Sequence, residues 1–79
     1  MYIAAGTVVI AKAGRDKDGC FVVMRFEDGF AYIADGKRRK VEAPKKKNPL
    51  HLQMTRRILD VQNATNRKIR KLLNEIESI

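Results

Sequence analysis

Asp28-Gly29 constrains the fold of this chain more than any other pair of residues. It stands between two apolar runs, Cys20–Phe26 (CFVVMRF) and Phe30–Ala34 (FAYIA). An Asp-Gly pair supplies the positive φ angles that a type I′ turn needs at both central positions, so the runs are expected as arms of a β-hairpin. In the first arm Cys20, Val22, Met24 and Phe26 share one face and are expected to make the core. Phe21 and Val23 give the other face partial cover, and Arg25 is expected in solvent. Thr7–Lys12, rich in β-branched residues, predicts a preceding strand. It ends at Gly14-Arg15-Asp16-Lys17-Asp18-Gly19, a polar loop framed by glycines.

Asp35-Gly36 repeats the turn chemistry and sends the chain back through Lys37–Glu42. Val41 is the only apolar residue there, so this fourth strand is expected at an edge, where basic side chains discourage unwanted pairing. Pro44 and Pro49 bracket Lys45-Lys46-Lys47-Asn48 and exclude a central strand or helix interior; an exposed extended loop is expected. Leu50–Met54 alternates and predicts a fifth strand. Short strands in such a meander commonly close into a small barrel.

The period then changes. Ile69, Leu72, Leu73 and Ile76 recur at helical spacing, predicting a helix near 66–78 capped by Thr65 or Asn66. Residues 56–64 fit neither period and stay open between strand and helical turn. At 79 residues the chain makes one small domain, yet its 44% hydrophobic content favours folding over disorder. No run approaches the ~20 apolar residues of a membrane span. The start, Met1-Tyr2-Ile3-Ala4-Ala5, lacks the basic region of a signal peptide, so a cytoplasmic protein with no membrane partner is expected.

Charge carries the functional signal. Seven of the 17 Lys and Arg residues fall within positions 37–47, beside one acid, Glu42. Residues 1–36 are nearly balanced, with four basic and five acidic side chains. A cationic block on an otherwise balanced chain implies a polyanionic partner, with nucleic acid first. The expected phosphate contacts are Lys37, Arg38, Arg39, Lys40, Lys45, Lys46 and Lys47. On a fourth strand, Lys37 and Arg39 would share one face, Arg38 and Lys40 the other.

At Gly6-Thr7-Val8-Val9 through Gly14–Gly19 the chain resembles a KOW motif, the strand, basic glycine loop and strand of ribosomal proteins and NusG-type transcription factors. Ala34-Asp35-Gly36 with the basic residues after it, and Leu50-His51-Leu52-Gln53-Met54-Thr55, resemble the branch containing the archaeal and eukaryotic e-type large-subunit ribosomal protein fourteen and its short bacterial relatives. The resemblance covers residues 5–55. It implies a five-stranded Src-homology-3-like barrel and binding of ribosomal RNA or the ribosome; the chain is expected to divide into this barrel domain, 1–55, and a C-terminal extension, 56–79. Ribosomal proteins are implied as further partners. It adds Arg15 and Lys17 of the loop as contacts. The loop is one residue longer than the family form, through Asp18, and its two acids weaken its cationic character. The C-terminal helix has no clear counterpart in that family.

A secondary set of contacts is His51, expected to point away from Leu50 and Leu52, with Arg67, Lys68, Arg70 and Lys71. These four cations crowd the first turns of the helix, while Glu75 and Glu77 sit toward its end. That order opposes the helix dipole, at about 0.3–1 kcal/mol per exposed terminal charge. It suits a helix offering a cationic end to RNA; an ordinary solvated face is the other reading. Phe21, Phe26, Phe30 and Tyr32 are expected in the core, with Phe30, beside the turn, the exception for base stacking.

Catalysis is not expected. One Cys and one His build neither a zinc site nor an intrachain disulfide, and Cys20 is expected as a buried, inert thiol. Asp16 and Asp18 are expected as solvated turn acids. No nucleophile–base set or phosphate-cradling loop is present, so no cofactor or small-molecule substrate is implied. The alternative is a KOW-type module that docks on RNA polymerase or another factor through an acidic surface. A homodimer zipped by the Ile69–Ile76 stripe is compatible with either.

Overall fold

The computed structural model describes residues 2–77, which form a mainly β, barrel-like domain with one C-terminal helix. Strands β1 (Thr7–Ala11), β2 (Cys20–Glu27), β3 (Phe30–Ala34), β4 (Lys45–Lys47) and β5 (Leu52–Ile58) make a five-stranded antiparallel sheet in the order β4-β3-β2-β1-β5. Helix α1 spans Asn66–Glu77. Among the described residues no helix is long and apolar enough to cross a membrane.

The central hairpin forms as its turn predicts. Asp28 and Gly29 have φ of 51° and 81°, and Glu27 pairs with Phe30. Both faces of β2 are apolar, and the structure uses both. The face expected to be secondary holds the barrel interior: Phe21 and Val23 pack with Ile3, Val9, Ile33 and Leu52. The face expected as the core, Cys20, Val22 and Met24, packs instead beneath α1 with Val8, Ile69 and Leu73. A register shift between Val23 and Arg25 turns Phe26 toward the interior cluster. The correction has a simple cause: a strand buried on both faces carries a continuous apolar run rather than alternation.

Residues 37–42 do not form a strand. Their backbone groups are consumed locally: Asp35 Oδ1 accepts from Lys37 N and Arg39 N, each at 2.9 Å. Arg39 O accepts from Asp35 N and Gly36 N, and Ala43 N donates to Lys40 O. Asp35 thus closes the turn with its side chain, not with the positive φ of a type I′ turn. The edge strand lies further on, at Lys45–Lys47, in the segment expected as a loop. The flanking prolines exclude a sheet interior, and three residues fit between them at an edge.

The fifth strand starts later than expected, because Pro49–His51 makes a short 3-10 turn capped by the Asn48 side chain. It then runs past residue 55 to Ile58, which settles the open segment as strand followed by loop. Thr65 caps α1: its Oγ1 accepts from Lys68 N at 3.2 Å and its carbonyl from Ile69 N at 3.0 Å. Ile69 and Leu73 are buried and Ile76 packs against the same cluster. Most of the apolar stripe is therefore occupied by the chain's own sheet, with Leu72 half-buried and outside the cluster. Ser78, where the expected helix ended, and the Glu77 side chain lie outside the described residues.

Gly36 joins helix to sheet. Its φ is 78°, and a Cβ there would collide with the backbone carbonyl of Asn66 and crowd the Arg70 side chain. Only glycine permits both the left-handed backbone and that approach. The 35–39 turn is thereby held against the start of α1.

Candidate nucleic-acid interface

Three segments distant in sequence are tied together by side-chain contacts: the β1–β2 loop, the 35–39 turn and β4. Two contacts bind them. Arg39 Nε and Nη2 donate to Asp16 Oδ2 at 3.2 and 3.0 Å, joining the turn to the loop. Lys47 Nζ donates to Ala13 O at 3.2 Å, joining β4 to the same loop. Asp16 is not the solvated acid expected from its polar loop; its side chain is 3% exposed, against 29% for Arg39. The extra residue, Asp18, takes φ of 70°, and its amide donates to Ala11 O at 2.8 Å, so the longer loop stays closed.

This convergence sorts the expected contacts. Arg15, Lys17, Lys37, Arg38, Lys40, Lys45 and Lys46 are exposed around the rim. Among the described residues the ion pairs Arg25–Glu27 and Arg39–Asp16 involve none of those seven, and none of the seven is seen paired with an acid within 4.0 Å. Arg39 is paired and half-buried, and the Lys47 ammonium is committed to a carbonyl; both position the rim more than they extend it. Because 37–40 is a turn, the expected alternation of Lys37 and Arg39 against Arg38 and Lys40 does not occur. In β4 it does: Lys45 and Lys47 register with the interior-facing Ile33 and Ala31, and Lys46 with the outward Tyr32.

The secondary set divides. His51 is exposed in the 3-10 turn, and its carbonyl accepts from Lys12 N at 2.8 Å, placing it where β1 enters the basic loop. Arg70 Nη1 reaches Gly36 O at 3.5 Å, and Arg70 shares a cleft of about 100 Å³ with Lys37, Asp35 and Cys20. Arg67, Lys68 and Lys71 are exposed on α1. Cys20 is half-buried beneath the helix rather than fully enclosed.

The one acid of the cationic block is turned to structural use. Asn66 accepts from Val41 N at 2.8 Å and donates through Nδ2 to both Glu42 carboxylate oxygens at 2.8 and 3.2 Å. The Asn66 amide first, then Glu42's own backbone amide and the charge of Lys40, hold the Glu42 carboxyl below its ordinary value of 4.5. A lowered folded value adds stability above pH 4.5 and loses it as pH falls below that point. Glu42→Gln should therefore flatten the pH dependence of the melting temperature in the window just below pH 4.5, an effect read by thermal melts. An unchanged acid profile would remove Glu42 from the account.

Sequence reasoning missed the Arg39–Asp16 pair, because partners 23 residues apart in two turns carry no periodic signal. It also missed the setting of Tyr32, expected in the core, whereas Phe30 was the exception it singled out. Arg25 lies 4.0 Å above the Tyr32 ring and Lys46 4.3 Å from the Phe30 ring. Neither ring joins either apolar cluster. Compared with known proteins, the chain matches no family model and no curated protein.

Proposed function

We propose that this chain is a non-catalytic RNA-binding module whose cationic rim tracks phosphates, with ribosomal RNA or the ribosome in the cytoplasm as its target. One observation carries the reading: side-chain contacts tie loop, turn and edge strand together, and the seven cations on or beside these segments, Arg15 to Lys46, are exposed and without an ion pair among the described residues. Such a rim recognises backbone charge and geometry, and reads no base edges. The KOW-like residues and the implied Src-homology-3-like barrel favour ribosomal RNA over other polyanions. Among the described residues no group of His, Cys, Asp or Glu is arranged to hold a metal.

If about five to seven cations neutralise phosphates, log affinity for single-stranded RNA falls against log salt with a slope of about −3.5 to −5. A filter-binding titration across a salt series measures it. A slope near −1 rejects phosphate tracking. Sedimentation with ribosomal subunits, with and without ribonuclease, tests the target. Co-sedimentation that survives RNA digestion favours docking on a protein factor instead.

A further inference from the structure

We propose that the outer face of β2, β3 and β4 beside the rim is a stacking platform for unpaired nucleobases, built from Tyr32 and Phe30 with Arg25 and Lys46. The proposal rests on the RNA-binding reading and specifies its ligand as a single-stranded segment. Register puts Arg25 opposite Tyr32 and Tyr32 opposite Lys46, so three neighbouring strands present a cation, a ring and a cation in one row. Phe30 follows two residues before Tyr32 on the same face. Helix α1 covers the neighbouring part of this side, over Val22 and Met24, and the aromatic part stays uncovered. Both rings are half-buried and outside the two apolar clusters, so core packing does not account for them.

The chemistry suits bases. Every nucleobase has a π face that stacks on aromatic rings and on guanidinium planes, whatever the sequence. Arg25, parallel stacking aside, offers a cation at 4.0 Å over Tyr32, and Lys46 is exposed and able to leave Phe30 for a phosphate. Lys46 also belongs to the rim strand, so phosphate contacts and stacked bases would follow one another along a single strand of RNA. Glu27 stands opposite Phe30 and holds Arg25 only by an exposed ion pair of 3.5 Å, a weak tether.

The test compares oligouridine with an abasic strand of equal length and charge. Wild-type protein should bind oligouridine about tenfold or more tightly. Tyr32→Leu and Phe30→Leu should lower oligouridine binding toward the abasic level and leave abasic binding and the salt slope unchanged. A second readout needs no destabilising change. The chain has two tyrosines and no tryptophan, so Tyr2→Phe leaves Tyr32 as the sole emitter, and oligouridine should quench it where the abasic strand does not. Equal affinity for the two strands, or Tyr32 emission unmoved at saturation, overturns the platform while the rim stands. Binding of neither strand at low salt overturns both.

Discussion

Arg39→Met should cost about 3 kcal/mol of folding stability, the low end for removing one partner of a buried ion pair. Methionine preserves much of the stem's apolar packing, so the loss isolates the charge. The asymmetry between the partners sharpens the prediction. Removing Arg39 strands the Asp16 carboxylate, 3% exposed, away from water. Asp16→Asn leaves Arg39, whose side chain is 29% exposed and can turn outward, so its cost should be only about 1–2 kcal/mol. The double variant should lose less than the two singles together, since neither charge is then left alone. For a domain of this size Arg39→Met lowers the melting temperature by roughly 12–24 °C, at about 4–8 °C per kcal/mol. Thermal and urea unfolding measure it, with the urea dependence unchanged if only stability has moved. A melting temperature within a few degrees of wild type would mean that the pair does not hold loop to turn.

That pair marks where sequence reading ends. The hairpin at Asp28-Gly29 was legible because turn chemistry and flanking apolar runs are local signals, as were the helical stripe and a cap at Thr65 or Asn66, which the structure gives to Thr65. The cationic block was legible as charge. Its shape was not. Whether Lys37–Glu42 makes a strand depended on Asp35, whose side chain takes the amides that a strand would have used. Whether Lys45–Lys47 stays a loop depended on the open edge of β3, a tertiary fact. The faces of β2 were exchanged for a similar reason: alternation says which residues share a face, and only the docking of α1 decides which face meets the barrel interior. Asp16 looked solvated because it lies among Gly, Arg and Lys, and its partner is brought in by the fold.

Lys37→Glu with Arg38→Glu should weaken RNA binding by at least about 25-fold at ~0.1 M salt. Each phosphate contact contributes a slope of about 0.7, hence a factor of about five between ~0.1 M and 1 M salt, and two contacts multiply. Reversal adds repulsion to that loss. The salt slope should fall by about 1.4. Both side chains are exposed at the tip of a turn closed by Asp35, so stability should move by no more than about 0.5 kcal/mol. Lys47 is a poorer choice, because its ammonium also secures Ala13 O. The matched control is Arg56→Glu with Arg57→Glu. It changes net charge by the same amount, but on β5, at the opposite sheet edge from β4 and toward the Thr7 end of β1, away from the basic loop. A local rim requires that this control lose less than about threefold while the Lys37 and Arg38 pair loses its full share. Equal losses from both pairs would reduce the interaction to net charge alone, and the convergence of loop, turn and edge strand would then have no part in recognition.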